Sequence, residues 1–273
     1  MNQDQIKKAL LKVADAPLEF EVILTGKKSK KVNGLYKTEA REIVLHNRNF
    51  TDDAAGENLL IYTAIHEYAH HLHACARGGT LSARAHTSEF WAIFHELLEK
   101  AEKKNIYRNV FADSPELEKL TTLIKNKFLE GHGNLVKDLG KYLVKARELC
   151  EKIGGRFEDY VDRVLRIPKL AAETAIKTFQ YDLNPSVGAD NMRYIAGLRS
   201  EDERTSAERA LLAGKSPDSV KTALKSQRTS ALAQTEDDLK ERLEKEKTRL
   251  EKTISSLNRR LKEVEKELLL RNQ

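Results

Sequence analysis

Residues 66–70 read His-Glu-Tyr-Ala-His, which is the pattern H-E-x-x-H. Histidines four positions apart on a helix point to the same side, so His66 and His70 can bind one metal ion. Glu67 can lie beside such an ion and accept a proton from a water molecule bound to it. A zinc ion lowers the pKa of that water and polarises a peptide carbonyl. The motif predicts a zinc site with Glu67 as general base. The alternative is a histidine-rich helix without a metal.

A catalytic zinc ion needs a third protein ligand and one open position. His73 lies about 10 Å along the helix axis from His66, which is poor geometry for one tetrahedral centre. His86 follows the glycine pair at 78–79 and precedes a new helix, so its side chain can turn back towards the first helix. Glu89 lies one turn into that new helix. The residues alone leave His86 and Glu89 as alternatives.

Two further histidines are predicted to lie outside the ligand set. His71 points about 100° away from His70, so we expect it on the surface or next to the site. His95 lies deeper in the second helix, where we expect a partly buried, hydrogen-bonded side chain.

Two helices must position the candidate ligands. The first begins after polar and acidic capping candidates at 51–53 and ends at the glycine pair 78–79. The second begins with Thr87 or Ser88 as its N-cap and runs to about Lys104.

Alternating apolar and polar residues at 18–24, 34–38 and 41–46 predict three strands ahead of these helices. We expect a small antiparallel sheet. The segment REIVLHN, from residue 41, is the candidate edge strand that takes up an extended substrate peptide, although any strand of a small sheet can be its edge.

The pattern predicts an α+β protein with three parts: a domain at 1–112, a helical domain at 113–218, and a hinge with a coiled coil at 219–273. Within 236–271, apolar residues recur at two heptad positions, although Lys247 weakens the first half of this seam. The seam is formed by Leu243, Leu250, Ile254, Leu257, Leu261, Val264 and Leu268. It predicts homo-oligomers; a single solvated helix is the alternative.

The segment 154–180 reads as helix, turn, helix, with Ile167-Pro168 in the turn. It is compatible with a DNA-binding helix-turn-helix, and an ordinary helical hairpin is the alternative. The segment is faintly similar to a helical module of phage and plasmid proteins.

Residues 66–74 (HEYAHHLHA) and 85–100 (AHTSEFWAIFHELLEK) resemble the SprT-like and related WLM (YgjP-type) metallopeptidases. In these families H-E-x-x-H is followed by a histidine shortly ahead of a Phe-Trp helix. The resemblance covers about residues 18–110 and implies a zincin-like domain with zinc bound by His66, His70 and His86, and Glu67 as base. It also implies that Phe90 and Trp91 pack the second helix against the first. Glu89 stays the reserve ligand, and the zinc-ribbon cysteines of many SprT-like proteins are missing.

Composition sets the remaining expectations. With 48 Lys+Arg against 42 Asp+Glu the chain is mildly basic, which permits nucleic acid as a partner without arguing for it. No apolar run approaches a membrane span or a signal sequence, so we expect no membrane contact and a cytoplasmic location. The expected function is a zinc-dependent endopeptidase acting on protein substrates, including DNA-associated ones. The alternatives are a DNA-binding or scaffolding oligomer of a mobile element with a structural or vestigial zinc site, and an ImmA/IrrE-like regulatory protease.

Overall fold

The structure, a computed structural model, describes residues 1–78 and 85–232, and beyond them residues 243, 244, 246–251, 253–255, 258 and 261. It is mostly helical with one small sheet, which confirms the α+β class. Contacts divide the chain into two units, residues 1–222 and 223–273. The predicted division at residue 112 stays a prediction. No helix among the described residues combines the length and the apolar character that crossing a membrane requires.

Three short strands form the sheet of the first unit: β1 (Glu21–Leu24), β2 (Gly34–Lys37) and β3 (Glu42–Leu45). Their order is β1-β3-β2, with β2 antiparallel to β3 but β1 parallel to β3. The prediction of an antiparallel sheet is therefore wrong for the pair that contains β1. The prediction that residues 41–46 form the edge is also wrong, because β3 is the central strand.

The connections explain this topology. A tight turn at 38–41, in which Arg41 takes a positive φ of 52°, closes β2 and β3 into a hairpin. The connection at 25–33 is long enough to carry the chain past the sheet, so β1 pairs with the side of β3 that the hairpin leaves open. The edges of the sheet are therefore β1 and β2.

Three helices complete the N-terminal part. Helix α1 (Gln3–Val13) begins with a capping box of Asn2 and Gln5. Helix α2 (Ala54–Ala76) begins at Asp53, whose side chain accepts from the Gly56 N–H, and ends before Gly78 with φ 68°. Helix α3 (Ser88–Lys103) has Thr87 as its N-cap. The predicted starts and ends of α2 and α3 are confirmed.

The sheet and α1–α3 share one apolar core. It places α2 between the sheet and α3, so that α2 is covered on most of its circumference. The fully buried members with the largest side chains are Ile6, Leu10, Ile43, Leu45, Ile65, Tyr68, Phe90 and Phe94.

The remainder of the described chain is helical. The helices are α4 (Pro115–Leu123), α5 (Gly131–Lys152), α6 (Phe157–Asp159), α7 (Lys169–Gln180), α8 (Ala189–Ala196), α9 (Glu201–Leu212) and α10 (Pro217–Leu232). A π-helical segment, Ile124–Glu130, joins α4 to α5 without a break, and another, Tyr160–Leu165, continues α6. Helix α5 packs on α7. The structure has the predicted order of helix, turn and helix within 154–180; whether this segment binds DNA stays a prediction.

Helix α3 also contacts the chain around the start of α10. His95 Nδ1 lies 2.9 Å from Ser216 Oγ, and Lys215 Nζ lies 2.5 Å from a Glu99 carboxylate oxygen. The partly buried, hydrogen-bonded role predicted for His95 is confirmed. These contacts join the middle of α3 to a segment more than a hundred residues further along the chain.

Most of the predicted coiled coil, residues 236–271, lies outside the described residues. Those of its residues that the structure describes are helical. Four predicted seam side chains among them, Leu243, Leu250, Ile254 and Leu261, are 55–58% exposed. Leu257, Val264 and Leu268 lie outside the described residues. The coiled coil stays a prediction.

Candidate metal centre

Three histidines from two helices meet at one point. His66 and His70 lie one turn apart on α2, and His86 lies two positions before the first residue of α3. One potential ligand atom of each histidine lies within 4.8 Å of the others. The Nε2 atoms of His66 and His86 are 3.1 Å apart. The structure thus brings together the three residues predicted as ligands; whether they bind zinc stays a prediction.

Local structure explains how His86 reaches α2. The Thr87 side chain caps α3 by accepting from the Phe90 N–H, which fixes the direction in which the chain enters the helix. Phe90 is fully buried, and its ring stacks on His70 at a centroid distance of 4.2 Å. Trp91 stacks on His86 at 5.5 Å. Trp91 also contacts His66 of α2 at a centroid distance of 6.2 Å, so both residues pack α3 against α2 as predicted.

Burial keeps two of the histidines neutral. It lowers the pKa of His66 to about 4, with the charge of His86 as a second cause. It lowers the pKa of His70 to about 3, with the charges of His66 and His86 as further causes. Both imidazoles are therefore unprotonated at neutral pH, which is the form that binds a metal ion.

The donor set fits zinc. Three neutral imidazoles with one open position are a known set of ligands for catalytic zinc. Two nitrogens bound to one zinc ion at tetrahedral angles lie about 3.3 Å apart, close to the separation seen between His66 and His86. His70 Nδ1 is buried and has no hydrogen-bond partner within the described part of the chain. No described residue therefore competes for this nitrogen of the His70 ring.

Glu67 lies beside the histidines at the open edge of the sheet. It is only 6% exposed. A Cβ atom added to Gly34 of β2 would lie 3.0 Å from Glu67 Cγ, so a larger residue at position 34 would press on this side chain. The backbone N–H of Tyr36 faces the Glu67 carboxylate, and this weak hydrogen bond lowers the pKa of that carboxyl. Burial raises the pKa of Glu67 to about 7, because it outweighs the lowering by that hydrogen bond.

The register of the sheet explains this contact. The His46 N–H donates to the Asn33 carbonyl, and Leu35 lies opposite Val44. Odd-numbered residues of β2 therefore direct their backbone groups towards β3, and even-numbered ones towards the open edge. Tyr36 is on the open side, where its N–H meets Glu67.

His71 is fully buried, so of its two predicted positions, on the surface or next to the site, the surface position is wrong. Its Nε2–H donates to the Leu18 carbonyl at 3.1 Å, which leaves Nδ1 to accept from the Tyr36 hydroxyl at 2.9 Å. The Cys75 sulfur lies 3.7 Å from the same ring. His71 thus fixes the side chain of the residue whose backbone contacts Glu67. Sequence reasoning missed both Tyr36 and Gly34 as parts of the site.

Glu89, the reserve ligand, does not belong to the group of three potential ligands. Its negative charge acts on His73 and raises the pKa of that ring, although burial is the larger effect and lowers it. His73 is buried on α2, one turn beyond His70, and is also outside the group. The predicted exclusion of His73 agrees with this placement.

A separate cavity of about 850 Å³ lies at the other end of α2. Its lining includes Glu57, Asn58, Glu102 and Arg108 but none of the three histidines. It therefore offers no site around the candidate metal centre.

Comparison with known proteins adds no relative: no family model, curated protein or solved structure matches this chain.

Proposed function

We propose that the N-terminal part of this chain is a zincin-like, zinc-dependent endopeptidase. The observation that carries the proposal is the meeting of His66, His70 and His86 within 4.8 Å, with Glu67 on the same helix beside an open strand edge. A zinc ion held by these imidazoles would act as a Lewis acid that polarises a peptide carbonyl and makes water nucleophilic at neutral pH.

Glu67 is the proton carrier in this proposal. Its raised pKa of about 7 suits a group that takes a proton from water and then gives it to a leaving amine. The Tyr36 N–H faces the Glu67 carboxylate, and the Tyr36 hydroxyl is in turn hydrogen-bonded to His71 at 2.9 Å. Tyr36 and His71 are therefore positioning residues for the base.

The open edge of β2 is the proposed binding edge for the substrate backbone. The backbone groups of Gly34 and the carbonyl of Tyr36 face this side, and an extended peptide can add to such an edge through main-chain hydrogen bonds. The Tyr36 N–H, which meets Glu67, marks where such a peptide passes the base. This assignment moves the proposed edge from residues 41–46 to β2.

The test is Glu67→Gln in the zinc-loaded full chain. We expect cleavage of an unfolded protein substrate to fall about 100-fold or more, because the proton carrier is lost, while zinc content and the circular dichroism spectrum stay unchanged. Glu89→Gln is the matched control, since it removes one nearby carboxylate that is outside the histidine group. Cleavage that survives in Glu67→Gln at the wild-type rate would exclude this mechanism.

Metal analysis tests the ligand set separately. We expect His86→Ala to lose zinc and Glu89→Ala to keep it. The reverse result would make Glu89 the third ligand, and a wild-type chain that binds no zinc would refute the proposal.

A second proposal concerns residues 223–273. The exposure of Leu243, Leu250, Ile254 and Leu261 at predicted seam positions favours a homo-oligomer formed through this segment. We expect Leu250→Glu with Ile254→Glu to convert an oligomer into a monomer in analytical ultracentrifugation. A wild-type monomer would exclude it and leave a single solvated helix.

A further inference from the structure

The connection between β1 and β2, residues 25–33, is rich in lysine; we name it the lysine loop. Lys27, Lys28, Lys30 and Lys31 are all exposed. Within the described part of the chain none of the four takes part in an ion pair. Four cations within five positions, without an acidic partner among the described residues, repel one another, so this loop has a net attraction for a negatively charged partner.

The lysine loop is held in one conformation by asparagine side chains. The Asn49 side-chain amide donates to the Ser29 carbonyl and to Asn33 Oδ1, both at 2.9 Å, and Asn49 Oδ1 accepts from the Ser29 N–H. The Gly26 N–H donates to Asn47 Oδ1. Arg48, a fifth exposed cation, lies between these two asparagines. The cations are thus carried on a fixed frame, which lowers the entropy lost when a ligand binds.

The lysine loop leads directly into the candidate site. It ends at Asn33, and the next residue, Gly34, lies against the Glu67 side chain. Since an extended chain covers at most about 3.5 Å per residue, the Lys31 Cα lies no more than about 11 Å from the Gly34 Cα. A ligand that follows the open edge of β2 past Glu67 therefore meets the lysine loop within a few residues.

We propose that the lysine loop selects protein substrates with acidic side chains, about two to five residues from the cleaved bond, on the side that passes the Gly34 end of β2. The inference rests on the proposed peptidase function and names its substrate class. An acidic peptide is favoured over nucleic acid because the cations continue the strand edge that a peptide backbone would pair with, so one extended chain reaches both features.

The test is the digestion of a proteome-derived peptide library by the zinc-loaded full chain, with cleavage sites read by mass spectrometry. The charge-reversal variant is K27E/K28E/K30E/K31E. Its matched control, K119E/K125E/K141E/K152E, reverses four exposed lysines of α4, α5 and the segment between them. A glutamine variant, K27Q/K28Q/K30Q/K31Q, removes the charges without adding new ones. Digestion by Glu67→Gln supplies the blank.

We expect wild type and control to enrich Asp and Glu at these positions. We expect the charge-reversal variant to prefer Lys and Arg there, and the glutamine variant to show no preference. Two peptides that differ only in having Glu or Lys at the best position give the ratio of kcat/KM for the Glu peptide to that for the Lys peptide. We expect this ratio to be about 10 in wild type and below 1 in the charge-reversal variant. In 0.5 M NaCl the wild-type ratio should fall towards 1, because salt screens the charges.

Other outcomes overturn the inference in distinguishable ways. Glu67-dependent cleavage with equal acid preference in wild type and charge-reversal variant would refute the role of the lysine loop and leave the peptidase proposal standing. No cleavage above the blank would refute both. Unchanged peptide preference with lost binding of a fluorescent DNA duplex would assign the lysine loop to nucleic acid.

Discussion

Helix α2 buries polar side chains, whereas helix α5 exposes large apolar ones. Of the six polar or charged side chains that are buried in the described part of the chain, five lie on α2, and Thr178 lies on α7. Helix α5 instead leaves large apolar side chains in solvent. These exposed side chains, at helical spacing, are Leu135, Leu139, Tyr142 and Leu149. The opposite face of α5, with Gly140 and Leu143, is buried against α7.

Each departure from ordinary burial has a cost, and the two costs indicate different roles. Burying an ionisable group disfavours its charged form and is sustained where chemistry or metal binding uses that group. Exposing a continuous apolar stripe is typical of a surface that contacts another molecule. The described buried ionisable side chains are thus concentrated on α2, whereas α5 presents an apolar surface to solvent.

The largest expected effect on the free energy of unfolding comes from truncating a buried side chain that packs on α2, and an exposed side chain of α5 serves as its counterpart. Phe90→Ala removes a fully buried ring that touches the histidine cluster, so we expect a loss of about 3–5 kcal/mol in the free energy of unfolding. Leu135, on α5, is 69% exposed, and Leu135→Ala should change it by less than about 0.5 kcal/mol. Urea denaturation followed by circular dichroism measures both. Equal losses in the two variants would contradict the comparison.

A smaller effect is expected from Glu67→Gln, and it depends on pH. The folded state holds the Glu67 proton more tightly than the unfolded state, because the pKa rises from 4.5 to about 7 on folding. The contribution of protonated Glu67 to the free energy of unfolding is therefore complete below pH 4.5 and is lost as pH rises through about 7. Glutamine does not titrate, so the variant should gain about 3 kcal/mol relative to wild type between pH 4.5 and pH 8 in metal-free protein.

Denaturant unfolding of both proteins at four pH values in this range, with a chelator present, measures the difference. A difference that stays constant with pH would mean that Glu67 is solvated in the metal-free protein. It would then no longer belong with the buried groups of α2.

The smallest effect is expected from Tyr36→Phe. The change leaves His71 Nδ1 without its hydrogen-bond donor in a fully buried position, and this costs about 1–3 kcal/mol. Tyr62→Phe is the matched control on α2, because no described residue is hydrogen-bonded to the Tyr62 hydroxyl. We expect less than about 0.5 kcal/mol there, measured by thermal unfolding. Equal effects would remove His71 from the positioning role assigned to it.

Local signals in the sequence sufficed for the helices around the site. Asp53 and Thr87 cap α2 and α3 as their types predict, because a short polar side chain at a helix start satisfies a free backbone N–H. The spacing of His66 and His70 set their common direction. The break at Gly78 and the new helix start at residue 88 left His86 and Glu89 as alternatives for the third position, and the structure groups His86 with the two histidines of α2.

These local signals could not predict which distant segments of the chain pair or pack together. Alternation predicts that residues 21–24 form a strand but not which strand they join, because a parallel pair and an antiparallel pair have the same alternation. The burial of His71 depends on contacts with Leu18 and Tyr36, which lie 53 and 35 positions away. The requirement for a small residue at position 34 cannot be seen in the sequence, because it arises from the packing of β2 against Glu67.

Helix α3 is held at two points by parts of the chain that are far apart in sequence. His86, next to its first turn, touches the histidines of α2, and His95 and Glu99 hold the segment at 215–216. Because one continuous helix carries both contacts, the segment at 215–216 helps to fix the position of α3, and with it the position of His86 relative to α2. Were metal binding at the histidine cluster to move α3, thermodynamic linkage would make the docking of residues 215–216 and the metal affinity depend on each other by the same factor.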